Sequence, residues 1–449
     1  MRRAELGDPR MVRRAVALAE ALAAAPDKSL PKVWSSPSEL EAAYRFLRNP
    51  RTEFEALVGA FQQATHERAL EKKRILAIHD TTDIECPAAD PDEVGYLQTG
   101  KPGFYVHHAL AAAVDDVTAP LGVLWSQLWG RAQRTTKRGS NLPGSALALL
   151  QERESDRWLE GVSEAAAWAE GCEQVIHVMD READNYRLYE HLHQLSADFI
   201  IRMRHDRRVD DGALTESLYD APTKLCRTVS LSRRRAKTMP SYTHQARDAR
   251  EAKLVVRSAT VEILPPNYMT HSEPIELNVI QVLEEDPPEG EEPVAWVLAT
   301  SLPVKTKAQV ATVLDFYRAR WLIEEFHKAL KTGCMIEKRQ LESLESITTL
   351  LALSYPIACE ILRLRCRAQT RVFASAVMRP SLLKCLRLHP KARPLPEQPT
   401  MEEALEVIAG LGGYIKRKER PGWQTIAAGY LEIQAFERGW LAAIAAKDL

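Results

Sequence analysis

Between residues 74 and 204 the sequence alternates apolar runs of strand length with amphipathic segments of helix length. No other feature limits the fold as much. Residues 74–80 (RILAIHD), 105–114, 120–128, 174–180 (QVIHVMD) and 197–204 (ADFIIRMR) read as strands, and residues 145–171 and 182–195 read as helices. The order is three strands, helix, strand, helix, strand. It predicts an α/β fold, a mixed sheet with helices packed on its faces.

The flanks differ from this core. In the first 70 residues, 12–24 is rich in Ala and Leu, and LEAAYRFLRNP reads as a helix ending near Asn49-Pro50. Residues 206–300 carry Pro240, Pro265, Pro266, Pro274, Pro287 and Pro288 among the β-type runs KLVVRSATVEIL, IELNVIQVL and AWVLATSL, and read as a β-rich insertion. The remainder is largely helical, with a basic run Lys416-Arg417-Lys418 and an amphipathic helix over 426–447. At about 100–200 residues per domain, 449 residues make roughly two to four domains.

Composition excludes several classes. With 45% hydrophobic and 27% charged residues the chain is no collagen, rod or disordered tail. The longest uncharged stretches, 117–130 and 346–359, have 14 residues and a proline each, short of the roughly 20 a membrane span needs. A soluble chain without a membrane partner is therefore expected. The charged start MRRAELGDPRMVRR is not a secretory signal, and seven cysteines without a C-x-x-C pair point to a reducing cytoplasm and against structural zinc. No phosphate-loop or dinucleotide glycine motif occurs, so no nucleotide cofactor is expected. His107-His108 and the His191/His193 pair read as structural, and Trp125 and Trp129 as core. The net charge of −1 conceals a gradient. Residues 202–257 hold 14 Lys or Arg against 7 Asp or Glu, while EEDPPEGEE over 284–292 offsets them. A polarised surface of this kind suits nucleic acid.

Thr306 and Gln309 have capping-box spacing, and a helical pattern runs from them to Gly333 as its C′ residue. At 100° per residue Tyr317, Arg320, Glu324, Lys328 and Lys331 share one face, and Leu322, Ile323, Phe326, Ala329 and Leu330 the other. Asp80 and Asp180 each follow an apolar strand run. Taken singly, such acids are more often solvated strand caps, and such a helix face is more often merely wet. Taken together, strand-end acids beside a helix acid supply the hard oxygen ligands that suit Mg²⁺ or Mn²⁺.

The motifs that carry these residues resemble a family. YRARWLIEEFHKALK (Tyr317, Arg320, Glu324, Lys331), VMDREADNY (Asp180, Arg181, Glu182) and AIHDTTDI (Asp80) are similar to the motifs of bacterial DDE transposases of the insertion-sequence type with a Tyr-x2-Arg-x3-Glu-x6-Lys signature. The resemblance extends over nearly the whole chain, through ELGDPR, AYRFLRNP, the insertion and the closing LAAIAAKDL. The Arg233-Arg234-Arg235 run and the bulk of the insertion align poorly with it.

The resemblance implies a ribonuclease-H-like catalytic core over about 71–370. A helical DNA-binding domain over 1–70 would precede it and a helical dimerisation domain over 371–449 would follow. It implies a Mg²⁺-dependent enzyme, Mn²⁺ also accepted, with Asp80, Asp180 and Glu324 as metal-binding catalytic acids. Such an enzyme nicks the transposon end, forms and reopens a hairpin, and joins the 3′-OH to target DNA. Its partners would be double-stranded DNA, as transposon ends and target, and a second copy of the chain in the DNA complex. Its place would be the bacterial cytoplasm, at the nucleoid. Trp296 would stack on a flipped base. Tyr317, Arg320 and Lys331 would hold phosphates, Arg181, Arg202 and Arg204 would contact end DNA, and Arg45 and Arg48 would face DNA. Two other readings remain: a domesticated relative that binds ends without cutting, and a stand-alone metal-dependent endonuclease.

Overall fold

The computed structural model describes residues 1–24, 28–34, 36–131, 144–210, 212–239, 242–415 and 420–446; for 24, 144–154, 237–239 and 242–244 it describes the backbone alone. Lys416-Arg417-Lys418, Pro240 and the closing residues 447–449 lie outside the described residues.

In chain order the main helices are α1 (Pro9–Ala24), α2 (Pro37–Leu47), α3 (Phe54–Lys72), α4 (Gly144–Ala167), α5 (Tyr186–Gln194), α6 (Lys307–Arg318), α7 (Trp321–Lys328), α8 (Leu344–Arg367), α9 (Pro380–Leu388), α10 (Met401–Leu411) and α11 (Trp423–Ala445). The main strands are β1 (Arg74–Glu85), β2 (Gly103–Ala113), β3 (Asp116–Trp129), β4 (Gln174–Met179), β5 (Asp198–Arg202), β6 (Thr223–Leu231), β7 (Arg250–Ile263), β8 (Ile275–Glu284) and β9 (Ala295–Thr300). They fall into two compact units. One comprises Met1–Leu150, Ser163–Glu173 and Trp321–Leu449, the other Gln151–Val162 and Gln174–Arg320.

In the first unit β1, β2 and β3 form an antiparallel meander, in register from Ile75↔Ala113 to Glu85↔Gly103. Nearly every residue of β2 is buried, which its run of apolar and small residues (GFYVHHALAAA) allows on both faces. Helix α3 lies on β3, where a Cβ at Gly122 would meet Thr65 Oγ1 at 2.1 Å, so only glycine admits this approach. Helix α8 is long and apolar enough to cross a membrane by length and composition, but 72% of its apolar window is buried, against α1, α2, α3 and β3. It is the spine of this unit.

In the second unit the order is β4-β5-β9-β8-β7, with β6 on the far edge of β7. Only β4 and β5 run parallel, joined through α5, and the other pairs are antiparallel. The sheet is therefore mixed, as the alternation predicts, and the fold is α/β in character. The proline-rich stretch is built into this sheet: β9 pairs with β5, and β8 and β7 follow outward. Trp158, Tyr186, Tyr189, Leu192, Phe199, Ile201 and Ala299 form its core.

Three expectations are corrected. Asp80 does not end its strand; β1 continues to Glu85 because β2 is long enough to pair with the polar Thr81–Glu85 segment. The helix expected from Thr306 to Gly333 is three elements. It breaks at Ala319-Arg320, between the two units, and resumes as α7 and a π-helical turn, Ala329–Gly333. The expected run is therefore divided: Tyr317 lies in α6, Lys331 lies in the π turn, and Gly333 closes that turn. Neither glycine nor proline marks the break in the sequence, so local propensity did not reveal it. Trp129 is half-buried and stacks on Tyr105 (5.6 Å between centroids, planes 21° apart), whereas Trp125 is core.

Candidate active site

The first unit holds two of the three acids. Asp80 is half-buried on β1, at the point where the strand passes from fully buried residues to half-buried ones, and its Oδ1 accepts the Thr81 N–H at 2.8 Å. Glu324 is half-buried in the first turn of α7, which packs against β1. The apolar side of α7 and of the π turn after it is as expected: Leu322, Ile323, Phe326, Ala329 and Leu330 are all buried. Lys331 lies in the π turn, where the Cys334 N–H bonds the Ala329 carbonyl five residues back, at 2.8 Å. Such turns are rare and concentrate at functional positions. The Lys331 ammonium bonds Asp83 Oδ1 at 2.6 Å and stands 3.5 Å from Glu337 Oε1. Glu337 also accepts the Glu85 N–H at 3.2 Å, tying the end of β1 to the segment after the π turn.

The second unit holds Asp180 and most of the expected DNA contacts. Asp180 follows β4 directly and caps a short 3₁₀ turn, its Oδ1 accepting the Glu182 N–H at 2.8 Å. Arg181 is exposed there, and Glu182 pairs with Arg157 at 3.2 Å. On β9, Trp296 and Leu298 point to one side of the sheet, and Val297 and Ala299 to the core. Arg202 lies opposite Leu298 in register, hence on the Trp296 side. The Trp296 ring meets Tyr317 of α6 at 5.6 Å, planes inclined by 30°. Burial pushes the Tyr317 phenol above its ordinary pKa; Arg320, which hydrogen-bonds it, and Arg202 pull the other way, and Asp180 adds to the rise. Asp180, Arg202, Trp296, Tyr317 and Arg320 thus form one cluster. In it a neutral tyrosine hydroxyl lies beside two guanidinium groups.

Arg204 is exposed, and the turn that carries it hangs on one buried carboxylate. Asp184 accepts the backbone N–H groups of Arg204 (2.7 Å) and His205 (2.9 Å), the Tyr189 hydroxyl (3.0 Å) and the Arg207 guanidinium. Arg45 and Arg48 are exposed on and just after α2, with Arg48 over the Tyr44 ring. Arg233 pairs with Asp248 at 3.7 Å, both largely exposed. The acidic stretch is less solvated than its composition implies: Glu284 and Glu291 bind Arg250, and Glu285 binds Arg257. His107 and His108 are buried, as a structural reading requires.

Residues 1–52 match the family model described as "Transposase DNA-binding", and residues 157–356 match "Transposase DDE domain". Together the matches span more than half of the chain. The chain belongs to the DDE-type transposases. It is a DNA transposase, an enzyme that cleaves and joins DNA strands, with DNA as its partner. The first match contains Arg45 and Arg48. The second contains Asp180, Arg181, Arg202, Arg204, Trp296, Tyr317, Arg320, Glu324 and Lys331, whereas Asp80 lies upstream of it.

DDE domains work with divalent metal ions. The donor chemistry here fits a hard cation, since the expected acids are carboxylates and two of them, Asp80 and Glu324, stand half-buried on elements that pack together. Among the described residues no group of three or more His, Cys, Asp or Glu gathers as a ready-made metal cage. The sequence motifs contained Asp83 and Asp184 without revealing what they do. Their partners, Lys331 and Arg207, lie in other motifs or in none. Trp321, 58% exposed at the start of α7 with the Lys328 ammonium over its ring, also went unnoticed.

Proposed function

We propose that this transposase works by the hairpin route, with Asp80, Asp180 and Glu324 as its catalytic, metal-binding acids and Mg²⁺, or Mn²⁺, as the cation. The support that counts most is the setting of Tyr317, against Trp296 and within reach of Arg320, Arg202 and Asp180. A neutral phenol and two guanidinium groups beside a carboxylate suit a scissile phosphate better than a solvated helix face.

The residues then divide the work. Tyr317, Arg320 and Lys331 hold phosphates near the cut. Arg181, Arg202 and Arg204 contact the transposon end, and Arg45 and Arg48 face DNA from the first domain. Trp296 offers its ring to a base turned out of the stack, which relieves the bend of a hairpin. A divalent cation at the acids would activate the attacking oxygen and stabilise the leaving one. One set of side chains serves nicking, hairpin formation, reopening and strand transfer, because each is a displacement at phosphorus and only the nucleophile changes. The domain boundaries 1–70, 71–370 and 371–449, a ribonuclease-H-like core, a homodimer on paired ends and a cytoplasmic site of action at the nucleoid belong to the same proposal.

The test is a cleavage assay with Mg²⁺ on end-labelled terminal DNA, with Asp80→Asn, Asp180→Asn and Glu324→Gln alongside. A nick, then a hairpin, then a double-strand break, all absent from the variants although they still bind DNA, supports the reading. DNA binding without any cleavage favours a domesticated binder. Nicking with neither hairpin nor strand-transfer product favours a stand-alone endonuclease.

A further inference from the structure

His108 is fully buried in the middle of β2, and its register partner on β1 is Asp80. Directly opposed residues of an antiparallel pair project to the same side, so the His108 ring and the Asp80 carboxylate share one face of the hairpin. The ring spans two further elements. Its Nδ1 lies 3.2 Å from Nε2 of His327 on α7, and its Nε2 lies 2.9 Å from the hydroxyl of Tyr355 on α8. His327 is buried and stands three residues after Glu324; Tyr355 is fully buried. Phe326 meets the same imidazole edge-on at 5.3 Å.

Burial holds the His108 pKa down at about 3, so the ring is neutral. A neutral imidazole has one donor and one acceptor nitrogen, which completes a chain of two hydrogen bonds: Tyr355 O–H to His108 and His108 N–H to His327, or the reverse. Phenylalanine or leucine would fill this space without the cost of burying polar atoms. What aromatic packing alone does not provide is direction, and two directed bonds set both the rotation and the height of a short helix.

We propose that the His108–His327–Tyr355 chain is a positioning device that fixes α7 on the β1–β2 hairpin and so holds Glu324 in register with Asp80. The inference rests on the assignment of those two acids above. Its physical reason is tolerance. One residue of slip along a helix moves a side chain about 1.5 Å. Mg²⁺ demands near-ideal octahedral ligation at about 2.0–2.1 Å. Their role is positioning: they act through the helix that carries Glu324.

The experiment uses the full chain with His327→Gln and Tyr355→Phe. The second removes one hydroxyl and leaves the ring, so it keeps the test open if the first fails to fold. Phe326→Leu is the packing control. Four quantities are read: thermal midpoint, affinity for end DNA without metal, Mn²⁺ affinity by electron paramagnetic resonance, and the Mg²⁺ midpoint of nicking. The expected result is DNA affinity within about twofold, a Mg²⁺ midpoint and Mn²⁺ dissociation constant raised about fivefold or more, and no such shift in Phe326→Leu at a similar loss of thermal midpoint. Unchanged metal parameters, or an equal shift in the packing control, overturn the proposal. Asp80→Asn and Glu324→Gln separate the two levels. If they still nick, the acid assignment has failed. If they do not, and the strut variants bind metal normally, only the strut has failed.

Discussion

The ring of Trp296 stands 5.6 Å from that of Tyr317, on the side of the sheet that also carries Arg202. Trp296→Ala is expected to permit the first nick and slow hairpin formation by about tenfold or more, since base stacking contributes roughly 1–3 kcal/mol. Trp296→Phe should fall between. Gel analysis of nick and hairpin over time is the check, and a normal hairpin yield in the alanine variant would remove the stacking role.

Lys331 is held by Asp83 and Glu337. A phosphate that takes this lysine must displace a carboxylate. Asp83→Asn should therefore tighten end-DNA binding severalfold at low salt, and Lys331→Ala should lower the slope of log K against log salt by about one. The double variant decides the cause. If the gain from Asp83→Asn persists without Lys331, the effect is general charge and not this pair.

Asp184 has no exposed side-chain surface and Arg207 is 9% exposed. Asp184→Ala would strand a buried guanidinium and two backbone N–H groups, at a cost of about 3–5 kcal/mol. Urea unfolding measures it. A loss below about 1 kcal/mol would mean that water replaces the carboxylate. Where the variant still folds, end-DNA affinity should fall as well, because the Arg204 turn loses its anchor.

His177 on β4 is fully buried, and burial, with a smaller contribution from His191, pulls its pKa down to about 4. The folded protein keeps this ring neutral while the unfolded chain titrates near 6.5. Between about pH 6.5 and about 4 the unfolded state therefore binds more protons, and stability falls with falling pH by up to about 1.4 kcal/mol per unit. Above pH 6.5 the contribution is complete. His177→Gln should flatten this limb in unfolding curves at pH 5 and 7. An unchanged pH slope would show that His177 does not set it.

The local structure around the candidate site was legible because it rests on local repeats. Burial of one helix side shows as a period of 3.6, so the apolar face of α7 was read residue by residue. The capping box at Thr306 and Gln309 is made as its spacing requires. Asp180 closes an apolar run because β4 does end there. Asp80 also closes an apolar run, but its strand does not end there. Composition turns polar where a strand leaves the core, and hydrogen bonding to β2 carries the strand five residues further.

The sequence by itself determined where most strands and helices lie, which side of α7 is apolar and which acids follow buried runs, since each is a property of neighbours along the chain. Tertiary structure decided the rest. It broke the long helix at Ala319-Arg320, turned Lys331 through a π turn onto Asp83, 248 positions away, and joined His108 to His327 and Tyr355, 219 and 247 positions away. Those contacts depend on which strand lies beside which and where a helix comes to rest, and a hydrogen bond across such a distance leaves no period in the sequence.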